Sequence, residues 1–501
     1  AWTRGAATVS GTGSLWTTGS MKVGSTGATG VLRVADGGTV RATDAFTIGS
    51  QGTLNIGAAA GDTATAAGNV ETLLIDFGTG SGKIVFNHTD TDYRFSPDLK
   101  GTGGIEAHSG TTTLFGNNIY TGETTVEGGI LRAGSLLAFA QGGAYTVNGG
   151  VLDLNDNDLM MHGLSGTGGT VDLGTAKLSV SQNADTAFAG SFTGSGTLAI
   201  YGPARLRLTG ATSAYSGEVR IGSGTLEINN AFSSGSGFIG TVAGEDGRVE
   251  VTGPTALWTL NGDLNVGRTG SGSLVISDGG GVNASGKVAV GSASLSLPTG
   301  EVLVTGSGSR LSTGAVGSLA IGSIAGSTLA VEDGGSVTSG TATLGQSAWT
   351  RGTATVTGAG SLWTTGAMKV GSAGATGVLT VADGGTVRAT EAFSIGTQGR
   401  LNIGAAAGET AVSAGVVDTS LVDFGTRSGK VVFNHTNPDY LFAPAITGAG
   451  SVEVYSGTTI LTGKSSYTGG TDVFGGKLVV NGVTGAVNVA SAAMLAGSGP
   501  V

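Results

Sequence analysis

The sequence predicts an all-β fold wound as a β-solenoid, and three observations carry the prediction. The first is composition: 97 of 501 residues are Gly and only 12% are charged, against roughly 7% Gly and 25% charged in an average globular chain. The second is local grammar. Apolar runs of about five residues, the usual strand length, are each closed by Gly, Ser, Asn or Asp. The third is internal repetition at two scales. Gly does not recur at every third position and Pro numbers only 7, which excludes collagen. Hydrophobic residues make up 39% and mean hydropathy is +0.22, which excludes a disordered chain. Gly and Thr are poor helix formers and no stretch holds a 3.6-residue apolar period, so long helices are excluded as well.

The larger repeat is a duplicated module. Ala1–Trp16 returns as Ala348–Trp363, and roughly 50 of the first 60 residues are identical. Farther on, Phe86-Asn87-His88-Thr89 returns as Phe433-Asn434-His435-Thr436, and Tyr120-Thr121-Gly122 as Tyr467-Thr468-Gly469. This organises the chain as a first module copy over 1–154, a stretch of shorter repeats of about 50 residues over 155–347, and a second copy over 348–501. The finer repeat begins at Val9, Val251, Val304 and Val356. It reads Val-Thr/Ser-Gly, a short loop, then Leu-Trp in three of the four copies, followed by a strand expected to run through Asp-Gly-Gly. Those strands are Val31–Val40, Leu274–Val282, Leu329–Val337 and Val378–Val387.

Runs such as Val31-Leu32-Arg33-Val34, Glu301-Val302-Leu303-Val304 and Lys477-Leu478-Val479-Val480 supply strands, and Gly supplies their corners without a Cβ clash. No helical segments separate them, so βαβ units are not expected. A single coil cannot bury its apolar face, whereas stacked coils bury a continuous Val/Leu/Ile/Ala column. At roughly 20–25 residues per coil the chain makes on the order of 20 coils. Strands about 4.8 Å apart then give a rod near 100 Å long.

Several segments resemble the repeats of bacterial type V autotransporter passengers. The autotransporter-associated β-strand repeat is matched by Gly116-Asn117-Asn118-Ile119-Tyr120-Thr121-Gly122-Glu123-Thr124-Thr125-Val126 leading into Gly128-Gly129-Ile130-Leu131. A second copy runs from Ser465-Ser466-Tyr467-Thr468-Gly469-Gly470-Thr471 into Gly475-Gly476-Lys477-Leu478, and a weaker one from Tyr215-Ser216-Gly217-Glu218-Val219 into Gly224-Thr225-Leu226. The finer repeat is similar to that shared by type V secretion and PEP-CTERM proteins. The stretch Ala493-Met494-Leu495-Ala496-Gly497-Ser498-Gly499 resembles a coil found near passenger ends.

The resemblance implies a right-handed parallel β-helix, exported through an outer-membrane barrel and displayed on a Gram-negative cell or released from it. It implies an adhesin whose partner is a host cell-surface or extracellular-matrix protein, fibronectin for example, or a glycan, with self-association as a further expectation. A structural stalk holding a distal binding domain is the rival reading, and a polysaccharide-degrading β-helix enzyme the third. The chain opens at Ala1 and stops at Val501, and it reads as a fragment without signal peptide or barrel. Contact with a membrane is expected only through that barrel.

Charge and residue counts narrow the chemistry. Net charge is −10, with Lys and Arg scattered, so no nucleic-acid footprint is expected. With no Cys there is no disulfide framework, zinc ribbon or thiol chemistry. The absence of Cys also fits a chain that stays unfolded through an oxidising compartment.

Candidate residues are few. His88 and His435 occupy equivalent module positions where a strand gives way to a turn, and His108 and His162 fall in no metal-binding spacing. Asp153-Leu154-Asn155-Asp156-Asn157-Asp158 fails the EF-hand pattern because Asp158 and Leu164 stand where Gly and Glu are needed, and it reads as a solvated turn. Gly163-Leu164-Ser165 and Gly345-Gln346-Ser347 are incomplete nucleophile motifs. Asp44/Glu391 and Asp76/Asp423 are equivalent carboxylates that glycosidic cleavage would need in close pairs. Trp2, Trp16, Trp258, Trp349 and Trp363 are expected to stack between coils, with an aromatic ladder for a glycan or peptide as the alternative. No catalytic, metal or cofactor site is expected. Contact is expected over outward Thr, Ser, Asn and aromatic positions, or at an exposed strand edge.

Overall fold

Alternating burial is the rule that builds these strands: Ser271–Ser277, for example, buries every second residue while its Ser positions face outward. The computed structural model describes residues 3–210, 214–291, 298–372 and 374–501, so Trp2 lies outside the described residues. Among the described residues there are 55 strands and no helix. They fall into two units, Ala1–Val219 and Arg220–Val501.

In the first unit each strand pairs in parallel with its counterpart one coil later. One interior column runs Val9, Val34, Ile56, Phe86, Ala107, Val126, Val147. A second runs Met21, Phe46, Ile75, Leu99, and a third Tyr93, Thr112, Leu131, Leu152, Val171, Phe192. Each coil therefore carries strands of two or more sheets. Coil length varies from 19 residues, Ala107 to Val126, to 30, Ile56 to Phe86, where an excursion near Ala58–Thr65 is added.

The second unit repeats the plan. Ile228, Val251, Ile276, Val304, Val331, Val356, Val381, Ile403, Phe433 and Val454 form one column of parallel register partners. Phe232, Trp258, Val282, Leu311, Val337, Trp363 and Val387 form another. These columns are almost wholly excluded from water. At roughly 25 cal/mol per Å² of apolar surface, this burial is the main stabilising term. The architecture is all-β and largely parallel, consistent with a β-solenoid.

The structure corrects one expectation. No strand runs through Asp-Gly-Gly: Ala28–Ala35 ends there and Thr39–Ile48 begins beyond it. Asp36, Asp278, Asp333 and Asp383 each take a positive φ of 49 to 54°, and the Gly that follows is also left-handed. The second Gly of each triplet packs on the previous coil, where a Cβ would strike the carbonyl of Val9, Val251, Val304 or Val356. The two halves of the finer repeat meet at this corner. The hydroxyls of Ser10, Thr252, Thr305 and Thr357 donate to the carboxylates of Asp36, Asp278, Asp333 and Asp383.

Candidate functional site

The Tyr-x-Gly motif is a packing device. Tyr120 is buried inside its coil, with its hydroxyl 2.6 Å from Thr124 Oγ1. Tyr467 pairs with Thr471 in the same way. Tyr215 has no Thr at that place, and its hydroxyl reaches the Gly196 and Glu218 carbonyls instead. The Gly two positions on lies against the previous coil: a Cβ on Gly122, Gly217 or Gly469 would fall on the carbonyl oxygen of Gly103, Gly196 or Gly450.

The Phe-Asn-His-Thr motif is equally internal. Asn87 Nδ2 donates to the Ala59 and Asp62 carbonyls and pins the excursion to the sheet. Asn434 does the same at Ala406 and Glu409. His88 and His435 follow at the strand end and are shut off from solvent. Their Nε2 atoms lie 2.7 and 2.9 Å from Thr112 and Thr459 Oγ1. Their rings pack on Tyr93 and Tyr440, and neither Nδ1 has a well-aligned hydrogen-bond partner. Burial pulls both pKa values down, that of His435 to about 4, while the Asp90 charge pulls His88 partly back. His108 is a surface residue 3.3 Å from Glu106, and His162 is exposed.

The acidic candidates serve turns and neighbouring coils. Asn155 and Asp156 are left-handed. Asp156 accepts from the Thr175 backbone and hydroxyl, which lowers its pKa, and Asp158 accepts from the Lys177 N–H. Asp153 pairs with Arg132 at 2.6 Å. Asp76 and Asp423 cap the turns at Gly78 and Gly425, while Asp44 and Glu391 stand exposed. Ser165 shares a hydrogen bond with Thr146, and Ser347 lies in a turn with Thr350. Among the described residues no three His, Asp or Glu side chains gather as a metal site would require.

Among the described residues the tryptophans do not form a ladder. Trp258 and Trp363 are fully buried in one column but are separated by Val282, Leu311 and Val337. Trp258 lies between Phe232 and Val282 and Trp363 between Val337 and Val387, and Ser234 and Ser339 accept their indole N–H groups. Trp16 is 40% exposed and Trp349, with φ of 69°, is 82% exposed.

Sequence reasoning missed the outward aromatic pair. Tyr455 and Phe474 stack with ring centroids 4.9 Å apart and planes 29° apart, and Phe474 is 49% exposed. The Tyr455 hydroxyl lies 3.3 Å from Glu453 Oε2, and the other Glu453 oxygen is paired with Lys430. Burial and the Glu453 charge raise the pKa of Tyr455. The signal was present in the sequence: the first copy has His108 and Glu127 where the second has Tyr455 and Phe474.

Comparison with known proteins agrees with this construction. The model of the passenger-associated-transport-repeat matches residues 109–133, 193–228 and 455–480, the three stretches that hold Tyr120, Tyr215 and Tyr467. The chain is 34% identical over 209 residues to the adhesin BmaC autotransporter of Brucella suis biovar 1 (strain 1330), covering 39% of this chain and 6% of that protein. It is 40% identical over 99 residues to the uncharacterized lipoprotein YdeK of Escherichia coli (strain K12), covering 17% of this chain and 8% of that protein. The matches span less than a tenth of either relative's length. No solved structure matches the chain.

Proposed function

We infer that this passenger-like repeat protein, related to autotransporter adhesins, works by contact rather than by catalysis. We propose that it is part of a surface-displayed passenger, a right-handed parallel β-helix forming an elongated rod outside the Gram-negative outer membrane. In this reading the 1–154 and 348–501 module copies flank the shorter repeats of 155–347. The passenger mediates adhesion to host cells or extracellular matrix, with fibronectin as the first candidate ligand.

The observation that carries the proposal is the coincidence of the three transport-repeat matches with the buried Tyr-x-Gly corners. The named adhesin relative supports it. Coil-by-coil folding with low contact order suits a chain that emerges progressively. A stalk is the second reading. The buried polar groups of the Asn and His motifs face their own chain in both module copies, which is what a spacer needs.

The test is saturable binding of the purified chain to host cells and to immobilised fibronectin, collagen and laminin. Binding competed by soluble ligand supports adhesion. A folded chain that binds none of these is a stalk.

A further inference from the structure

We propose that the second module copy carries a binding site for a carboxylate-bearing saccharide, in the groove beside Arg400 and the Tyr455–Phe474 pair. This deepens the adhesive reading and rests on it only for the biological source of the sugar.

The argument starts from register. Val378, Arg400, Lys430 and Ser451 are partners on successive parallel strands, so their side chains line one outward row about 4.8 Å apart. Over this row lies an open groove of about 440 Å³, with Thr376, Gln398 and Ser428 on its walls. That volume is within the range of small-ligand sites.

The charges are unequal. Lys430 is neutralised by Glu453, whereas Arg400 makes no ion pair among the described residues. One free guanidinium offers a planar, two-pronged partner for one carboxylate. Ser451, the last residue of the row, opens the strand Ser451–Ser456 that carries Tyr455, which ties the groove to the aromatic pair. An exposed ring such as Phe474 offers an apolar face on which the C–H face of a pyranose can lie.

A second, independent observation lies under the groove floor. Asn402 is 1% exposed and donates to Thr380 Oγ1, while its Oδ1 has no partner and is closed to water. A buried acceptor left unpaired is destabilising. A hydroxyl donor that parts the floor slightly is therefore rewarded rather than penalised. A peptide strand is the poorer occupant. The strand Gly399–Gly404 is already paired on both sides, so it presents no free edge for strand addition.

The first copy supplies the control. Thr53, His108 and Glu127 stand where Arg400, Tyr455 and Phe474 are. Arg33, in the place of Thr380, is tied to the Gly57 carbonyl and Thr65 Oγ1. Among the described residues the first copy has no equivalent free cation beside an aromatic pair.

The experiment is titration calorimetry of the full chain with hyaluronan hexasaccharide, whose glucuronates carry the carboxylate, and with neutral chitotetraose. The variants R400T, Y455H and F474E import residues the first copy already accommodates, and circular dichroism checks their fold. The expected result is saturable hyaluronan binding, weaker at high salt, that falls about tenfold or more in R400T and in F474E. The proposal is overturned by absent hyaluronan binding, by unchanged affinity in R400T, or by equal binding of chitotetraose. Hyaluronan binding by a chain that fails on cells would sink the adhesive reading and leave the site standing.

Discussion

His88 and His435 hold the same place in two copies of one module and meet different surroundings. Both rings are closed to solvent, and both strand ends read Phe-Asn-His-Thr. His88 has the Asp90 carboxylate nearby, whereas the second copy has Asn437 there, and His435 is left with burial as the dominant influence. In a stacked-coil fold, then, one residue changed between near-identical copies shifts the electrostatics of a ring that both copies bury.

The largest expected effect is at Trp363, which lies fully buried between Val337 and Val387. Trp363→Ala should cost about 3–5 kcal/mol through lost burial and a cavity. Hydrogen-exchange protection of the flanking strands in the full chain reads this locally, and unchanged protection would show that the column is loosely packed.

Acid comes next. The ordinary pKa of His435 in the unfolded chain is 6.5 and its folded value is about 4. The unfolded state therefore binds more protons between these values. The neutral ring's contribution is fully present above pH 6.5 and is lost as pH falls toward 4, up to about 3 kcal/mol in all. Asn437→Asp should raise the His435 pKa, and Asp90→Asn should lower that of His88. Proton NMR titration of the imidazole C–H signals measures both, and an unmoved His435 in Asn437→Asp breaks the comparison.

The glycine effect should be the same in both copies. Gly122→Ala and Gly469→Ala each drive a Cβ onto a carbonyl of the previous coil, at a cost of about 1–3 kcal/mol. Urea unfolding followed by hydrogen exchange checks it, and a neutral substitution in either copy would show that the coil spacing is looser than described.

The smallest effect belongs to the surface ion pairs. Arg41 with Glu71 and Arg388 with Asp418 are half-exposed and equivalent, so Arg41→Ala and Arg388→Ala should each cost less than about 1 kcal/mol. A double-mutant cycle measures the pair.

Much of this was legible in the sequence. The strand grammar, the duplication and the Tyr-x-Gly corners all follow from short-range pattern, because strand length, Gly placement and repeat period are local properties. The Asp-Gly-Gly corner was misjudged. Alternating apolar residues on either side of it read as one strand, and only the left-handed φ of Asp36 and its counterparts breaks it. The outward aromatic pair was missed for another reason. Tyr455 and Phe474 are 19 positions apart, close to one coil length, and a single sequence does not give the phase of the coil at that point.

By itself the sequence determined the all-β, Gly-cornered fold class, the duplication of its module, and which residues turn corners. It did so because Gly, Asn and Asp restrict backbone conformation where they stand and apolar alternation sets which face goes in. Only the tertiary structure decided that both module histidines are shut off from water and which outward residues share a groove. Those outcomes depend on the coil above and the coil below, whose register is set by packing between segments some 19 to 30 residues apart.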